Sequence, residues 1–207
     1  MYFSATIFSL LGFTSPTLTS LSIALTNFAF TLVAFHYIDL VGRRCILLLS
    51  VPIMVLGLVL CAIGFQFVHL ESVEVAQSAA GIWAGVILIS MITYVAGYAV
   101  GLGCVPWQQS ELFPLSVRSL GSSLATSTNW SSNFVIGLTF LPMMEVLTPT
   151  GTFGLYGLVC AAGWVAIWRI YPETAGLGLE EVNGLLSKGW GVRESVVQFK
   201  KKKDIER

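Results

Sequence analysis

The stretch CILLLSVPIMVLGLVLCAIGFQFV, residues 45–68, contains no charged side chain. At about 1.5 Å per helical residue it is long enough to cross the roughly 30 Å hydrocarbon core of a bilayer. Similar apolar runs lie on both sides of it. A helix satisfies its own backbone hydrogen bonds in lipid, so no strands are expected. The sequence predicts an all-α polytopic membrane protein with five full spans, at residues 17–38, 45–68, 81–107, 122–144 and 152–171.

Composition agrees with this class. Of the 207 residues, 55% are apolar and 11% are charged, compared with about 25% charged residues in soluble domains, and the mean hydropathy is +0.80. The net charge of zero gives no electrostatic basis for nucleic-acid binding. The spacings of catalytic triads, metal ligands and phosphate loops are not found, so we expect neither an enzyme nor a cofactor or metal site. The four cysteines are interpreted as packing residues: Cys45, Cys61, Cys104 and Cys160.

Basic residues occur in every second connection. The segments around 39–44 and 108–121 and the C-terminal tail carry arginine or lysine, whereas 69–80 and 145–151 carry only acidic charges. The positive-inside rule therefore predicts that the arginine-bearing connections and the C-terminus face the cytoplasm.

Residues 1–13 resemble the end of a sixth helix, but they are too short to cross the bilayer. We expect the chain to begin within a helix, as a fragment or a truncated gene model would. The alternative is a short interfacial or tilted helix.

The span 81–107 contains helix breakers near its inner end. Gly97, Gly101, Gly103 and Pro106 precede Trp107. Discontinuous helices in transporters place backbone and polar groups beside the substrate, although glycine and proline are also common in ordinary membrane helices.

Two asparagines mark the next span. Asn129 and Asn133 are four residues apart and share one helical face. Asn129 is expected about 10 Å inside the membrane, counted from Ser122, at a depth similar to that of Trp107. An apolar ring beside an amide suits a polyol, and a helix–helix hydrogen bond is an equal alternative.

Opposite charges recur on the predicted cytoplasmic side. Asp39, Arg43 and Arg44 lie at one junction, and Glu111 and Arg118 lie at the next. As solvated pairs they contribute about 0 to 1 kcal/mol each, but pairs that separate when helices move can bias a conformational equilibrium.

Residues 172–207 are predicted to form a cytoplasmic tail after the helix bundle of residues 1–171. The apolar spacing within 171–186 predicts a short amphipathic helix against the bundle. The lysine run 200–203 is interpreted as a solvated segment near anionic lipid.

Three motifs together resemble the sugar porter family of the major facilitator superfamily. DLVGRR (39–44) is similar to its Asp/Glu-x-x-Gly-Arg-Arg loop, GLGCVPWQQSELFPLSVR (101–118) to its Gly-x-Gly-x-x-Pro-Trp helix and Glu/Arg loop, and PETAG (172–176) to its Pro-Glu-Thr-x-Gly signature. Among sugar porters, the wording PWQQSELFPLSVRSLG, TNWSSNF and LTFLPMMEVLTP is most similar to fungal proton-coupled myo-inositol transporters.

The resemblance implies the C-terminal six-helix bundle of a major facilitator fold, with the first helix incomplete. It implies transport by alternating access. The implied substrate is a sugar or polyol, in the first place myo-inositol, and the implied coupling ions are protons. It also implies the lipid bilayer of the plasma membrane as location and an N-terminal half as the missing partner. The substrate site implied comprises Trp107, Asn129, Tyr98 and Gly103, and the gating ion-pair network comprises Asp39, Arg43, Arg44, Glu111, Arg118 and Glu173.

Two departures accompany the resemblance. Ala175 stands where the tail signature usually has lysine, and the Gln-Gln and Asn motif expected on helix seven would precede Met1. A hexose carrier is the alternative within transport. A non-transporting, half-size binding or regulatory subunit is the alternative outside it.

Overall fold

The computed structural model describes residues 7, 16–71, 77–109, 112–175, 184 and 192–205. Within these ranges the chain is helical apart from short connections, which confirms the predicted all-α class for the described part. A 3₁₀ turn at Leu102–Cys104 separates the third and fourth helices. The helices are α1 (Pro16–Val41), α2 (Arg43–Glu71), α3 (Gln77–Val100), α4 (Val105–Gln108), α5 (Arg118–Val146), α6 (Thr148–Ile170) and α7 (Val192–Ile205).

The helices extend beyond the predicted spans and replace two expected loop segments. Gly42 alone connects α1 to α2, so Arg43 and Arg44 begin a helix instead of lying in a loop. Gly42 has a φ of 99°, and this left-handed conformation lets the chain reverse within one residue. Arg118 was also expected in a loop and is the first residue of α5.

Within the described residues, four helical segments are long and apolar enough to cross a membrane: Thr19–Ile38, Arg43–Val68, Ile82–Val100 and Thr148–Ile170. The fifth predicted span, 122–144, forms α5, whose 29 residues give it sufficient length. Its serine, threonine and asparagine residues lower its hydropathy, and it is not among the four. Of the predicted partial helix 1–13, only Ile7 is described, and it is helical and buried. The other residues of that segment lie outside the described residues.

Helices α2 and α3 pack against each other through small residues. A methyl group built on Gly57 would lie 2.9 Å from the backbone oxygen of Ser90. One built on Gly97 would lie 3.1 Å from the backbone oxygen of Ser50. Side chains at these positions would force the helices apart, as in other small-residue contacts between membrane helices.

The aromatic core joins α2, α5 and α6 at the end of the bundle away from Gly42. The Phe65 and Phe153 rings stack with centroids 5.3 Å apart, and Phe140 meets Phe153 edge-on at 6.2 Å. Nearer its N-terminus α5 is mostly exposed, with positions 123, 124 and 126–139 all open. Helix α5 therefore presents a long face that the rest of the described chain does not cover.

At the contact between α2 and α6, the Trp164 side chain supplies a hydrogen bond that Pro52 removes from α2. Pro52 lies inside α2 and has no N–H to donate to the carbonyl of Leu48, four residues earlier. The indole Nε1 of Trp164 donates to that carbonyl at 3.1 Å. The hydrogen bond that proline removes from α2 is thus supplied by α6.

Replacing Trp164 with Phe is expected to destabilise the protein by about 1–3 kcal/mol, because the Leu48 carbonyl would lose its donor in apolar surroundings. Thermal unfolding of the purified protein in detergent measures the effect. Trp168→Phe is the matched control, since Trp168 lies on the same helix and is 55% exposed. Equal melting temperatures for the two variants would contradict this role of Trp164.

Candidate functional site

The predicted interruption of the span 81–107 is confirmed. Helix α3 ends at Val100, and α4 begins at Val105 after the 3₁₀ turn. Gly101 has φ −107° and ψ −81°, outside the helical region. A methyl group built on Gly101 would overlap the Ser50 side chain, so the break occurs where α2 comes closest.

Tyr98 and Gly103 lie together at this break. A methyl group on Gly103 would be 3.3 Å from the backbone oxygen of Tyr98 and 3.7 Å from its ring. The Tyr98 side chain is 40% exposed. Trp107 belongs to α4, but its side chain lies outside the described residues.

Thr126 of α5 contacts the residue that follows α4. Thr126, Asn129 and Asn133 share one helical face by their spacing. Gln109 follows α4 directly and donates from Nε2 to the Thr126 hydroxyl at 3.0 Å. This bond places Asn129 one turn beyond the contact between α5 and the broken helix.

The two asparagines also interact with each other. The Asn133 Nδ2 donates to the backbone oxygen of Asn129 at 2.9 Å and to its Oδ1 at 3.3 Å. Both side chains are exposed. An exposed pair of amides on one face, held in a fixed orientation, can both donate to and accept from hydroxyl groups.

Arg118 and Ser122 occupy successive turns at the start of α5. Arg118 Nε donates to the Phe113 carbonyl at 3.4 Å. Its Nη2 and the Ser122 hydroxyl are both buried and have no hydrogen-bond partner among the residues described. Glu111, the expected partner of Arg118, lies outside the described residues.

A second polar cluster forms where α1, α2 and α6 meet. Glu173 is 3% exposed. Its Oε1 accepts from the backbone N–H of Arg43 at 2.9 Å, and its Oε2 accepts from that of Arg44 at 3.2 Å. These are the first two residues of α2, so the carboxylate satisfies open amides at the positive end of that helix.

Arg44 performs the corresponding task for α6. Its Nη1 donates to the Tyr171 carbonyl and its Nη2 to the Trp168 carbonyl, each at 2.7 Å. These carbonyls belong to the C-terminal end of α6, where no intrahelical donors remain. The Glu173 carboxylate, just after α6, thus caps the start of α2, and the Arg44 side chain of α2 caps the end of α6. We call Gly42, Arg43, Arg44 and Glu173 the capping junction.

Glu173 contacts both arginines of the predicted network, and the contacts described are hydrogen bonds from their backbone amides. Arg43 also donates from Nη1 to the Thr174 hydroxyl at 3.4 Å. Asp39 is in the last turn of α1, and its side chain lies outside the described residues. Arg118, predicted for the same network, donates from Nε to the Phe113 carbonyl.

Gly42 allows the carboxylate to approach. A methyl group at this position would lie 2.6 Å from Oε2 of Glu173. The same methyl group would lie 3.3 Å from the ring of Phe199 in α7. Glycine is therefore required here both for its φ of 99° and for space.

Helix α7 attaches the tail to the capping junction. The Glu173 backbone N–H donates to the Ser195 hydroxyl at 3.0 Å, and that hydroxyl donates to the Val192 carbonyl at 2.9 Å. Ser195 is fully buried.

Burial raises the pKa of the neighbouring Tyr171 to about 12, with a decrease from Arg43 and a further increase from Glu173. The Tyr171 hydroxyl therefore stays protonated near neutral pH.

Neither the role of Ser195 nor the Trp164–Leu48 bond is predicted from the sequence. Serine and tryptophan are common in such helices, and neither residue stands in a local motif. The bonding partner of Ser195 lies 22 positions away, and that of Trp164 lies 116 positions away. The predicted helix within 171–186 lies outside the described residues except at Tyr171–Ala175 and Gly184. The lysine run 200–203, expected as a solvated segment, is part of α7.

Replacing Arg44 with Lys is expected to lower stability by about 1–2 kcal/mol, because an ammonium group lacks the planar fork that reaches two carbonyls at once. Arg169→Lys is the control, since Arg169 is exposed in the last turn of α6. Thermal unfolding in detergent compares the two. An unchanged melting temperature for Arg44→Lys would argue against the fork as the stabilising feature.

Comparison with known proteins agrees with this arrangement. The family model described as "Sugar (and other) transporter" matches residues 1–186. The chain belongs to this transporter family. The predicted resemblance to sugar porters, and among them to fungal myo-inositol transporters, is confirmed.

Several curated relatives are named as myo-inositol transporters. The chain is 47% identical to Myo-inositol transporter 1 of Cryptococcus neoformans var. grubii, covering 100% of the chain and 37% of the relative. It is 45% identical to Myo-inositol transporter 2 of Schizosaccharomyces pombe, covering 97% and 36%. For Myo-inositol transporter 1 of Saccharomyces cerevisiae the identity is 44%, covering 98% and 35%. The chain therefore spans little more than a third of the length of these sugar transporter family members.

Solved structures show the same fold. A crystal structure of a XylE double-tryptophan mutant superposes with a TM-score of 0.76 at 28% identity, covering 89% of this chain and 38% of that one. An inward-open structure of the xylose transporter XylE from E. coli gives a TM-score of 0.69 at 25% identity, covering 83% and 36%. The membrane helix bundle is thus that of sugar transporters.

Proposed function

We propose that this chain is the C-terminal half of a transporter that carries myo-inositol across a membrane by alternating access, with proton symport as its driving mode. The observation that supports the proposal most is the position of Asn129. It is exposed on a polar face of α5, one turn from the Thr126–Gln109 bond at the end of the broken helix.

The chemistry of this face fits a polyol. The amides of Asn129 and Asn133 offer both donors and acceptors, and Tyr98 adds a partly exposed ring and hydroxyl near the break. Trp107, two residues before Gln109, would supply the apolar contact for the flat face of a cyclic polyol. The names of the fungal relatives support myo-inositol as the substrate within this class.

An N-terminal half is the proposed partner. The face of α5 that the described chain leaves open includes large apolar side chains: Leu124, Trp130, Phe134, Val135 and Leu138. The curated relatives are nearly three times as long as the matched region, and alternating access requires two bundles that move against each other. The substrate would then lie between α5 and the partner half.

The capping junction and the start of α5 are the proposed gate. The cytoplasmic side assigned by the positive-inside rule contains both Glu173 and Arg118. The buried Nη2 of Arg118, without a partner among the described residues, is suited to bind Glu111 or an acidic group of the partner half. Formation and loss of such contacts would bias the equilibrium between outward-open and inward-open states.

The plasma membrane is the proposed location of the transporter.

A fusion transporter tests the function. In it, this chain replaces the matching region of the Saccharomyces cerevisiae relative, to which it is 44% identical over 207 residues. Yeast cells without their own inositol uptake should accumulate labelled myo-inositol when they express it, and an uncoupler should prevent accumulation. Because the proposed function is transport, the recovered label should be unmodified myo-inositol.

A hexose or pentose is the second candidate substrate, because the solved structure with an inward-open conformation is a xylose transporter. Competition distinguishes the two. An excess of unlabelled glucose or xylose should leave myo-inositol uptake unchanged. Uptake of the sugar but not of myo-inositol would replace the proposed substrate. If a correctly inserted fusion takes up neither compound, a non-transporting subunit is favoured.

A further inference from the structure

Gln109 links two segments that the proposed substrate site needs together. It lies directly after α4, the short helix that contains Trp107, and its Nε2 donates to the Thr126 hydroxyl of α5 at 3.0 Å. Thr126 and Asn129 are three residues apart, so they are neighbours on one face of α5. The hydrogen bond therefore joins the two segments within one helical turn of Trp107 on one side and of Asn129 on the other.

Neither length nor burial fixes α4 firmly. It contains four residues, Val105–Gln108, and a helix of one turn is not stable by itself because its nucleation is unfavourable. It follows a break at which Gly101 leaves the helical region. Cys104, just before α4, is 1% exposed, whereas Pro106 is exposed and Gln109 is half-buried. The chain thus leaves the core as α4 begins, and a hydrogen bond at the end of α4 has a correspondingly large share in holding it.

Thr126 differs from the other hydroxyl residues of α5 for which a hydrogen bond is described. Each of those donates to the carbonyl four positions earlier in α5 itself: Ser123, Thr128, Ser132 and Thr139. Such bonds are the local pattern common for serine and threonine inside helices. The Thr126 hydroxyl accepts from Gln109 instead, so it serves a contact between two segments.

We propose that Gln109 is a positioning residue, whose bond to Thr126 holds α4 against α5 in the arrangement that binds substrate. The inference rests on the proposed function and adds to it a residue that acts through the placement of α4. Without the bond α4 samples more positions, and the apparent affinity falls with the fraction of molecules in the binding arrangement. Because the Thr126 side chain is exposed and Gln109 is half-buried, the melting temperature should change little.

Binding of labelled myo-inositol and amide hydrogen exchange, both measured on the purified fusion transporter, test the proposal together. Gln109→Met keeps the length of the side chain but removes its amide, and Thr126→Val keeps the shape but removes the hydroxyl. Each should raise the Kd for myo-inositol by about three- to tenfold, the effect of one hydrogen bond. Each should also speed exchange in the peptide that contains α4. The double variant should bind no more weakly than either single variant, since the two residues share one bond.

Two further variants separate positioning from a general loss of polarity. Thr126→Ser retains a hydroxyl and should rescue the affinity that Thr126→Val loses. Thr128→Val is the matched control, because the Thr128 hydroxyl bonds within α5. It should leave both myo-inositol binding and the exchange of α4 unchanged.

Unchanged exchange of α4 in Gln109→Met would overturn the proposal. Faster exchange with unchanged affinity would also overturn it, because the site would then not depend on the placement of α4. If the unaltered fusion binds no myo-inositol, the proposed function fails, and the exchange of α4 in Gln109→Met and Thr126→Val still decides whether the bond holds this segment.

Discussion

Replacing Glu173 with Gln should eliminate most myo-inositol uptake by the fusion transporter and lower its melting temperature. The carboxylate accepts hydrogen bonds from the backbone amides of Arg43, Arg44 and Ala175. An amide side chain has one acceptor oxygen and would turn its NH₂ group toward one of these donors. Hydrogen bonds to a charged group are worth about 1.5–3 kcal/mol each, so we expect a loss of about 3–5 kcal/mol from this buried site.

Glu194→Gln is the matched control for that experiment. Glu194 lies in α7, one position before Ser195, and its side chain is exposed. Uptake and thermal unfolding should therefore be unchanged by this substitution. If both variants melted and transported alike, the carboxylate of Glu173 would have no stabilising role in the capping junction.

The second large effect is expected at Gly42. An alanine there would adopt a left-handed φ at a cost of about 1–2 kcal/mol. Its methyl group would also lie 2.6 Å from Oε2 of Glu173. Relief of that contact requires the carboxylate to leave the amides of α2, so Gly42→Ala should lose a large part of the stabilisation that Glu173 provides. Thermal unfolding and uptake of the fusion transporter measure the loss.

Gly85→Ala provides the comparison for Gly42. A methyl group at Gly85 meets nothing within 4 Å, and alanine is favoured over glycine inside a helix by about 0.5–1 kcal/mol. This variant should be as stable as the original or slightly more so. A Gly42→Ala protein as stable as Gly85→Ala would show that the close approach of Glu173 is not needed.

A double variant separates strain from contact. In the Glu173→Ala background the methyl group of Gly42→Ala no longer meets a carboxylate, so the backbone strain and the 3.3 Å approach to the Phe199 ring remain. The two substitutions should therefore be less than additive, as expected for residues in direct contact. Full additivity would place the effects of Gly42 and Glu173 in separate parts of the structure.

Much of the fold follows from local sequence. Long uncharged runs predict membrane helices, and the glycines at 97, 101 and 103 predict the break between α3 and α4. What failed was the assignment of Arg43, Arg44 and Arg118 to loops. Arginines beside a glycine suggest a solvated turn, but the start of α2 is stabilised by a carboxylate about 130 positions away.

The tail shows the same limit. The lysine run belongs to α7, and the attachment of this helix through Ser195 and Phe199 is not predicted from the sequence. Neither contact has a local pattern, because each depends on where α6 ends and on the space left by Gly42. The shared face of Asn129 and Asn133, by contrast, is predicted by their spacing alone, since a helix fixes it.

Binding of labelled myo-inositol to the purified fusion transporter tests the central claim most directly. We expect saturable binding that Asn129→Ala weakens by about tenfold, the effect of one lost hydrogen bond of about 1.4 kcal/mol. Ser127→Ala should leave it unchanged, because Ser127 lies about 160° around α5 from Asn129. Binding that is equally strong in both variants would contradict a substrate site on the Asn129 face of α5.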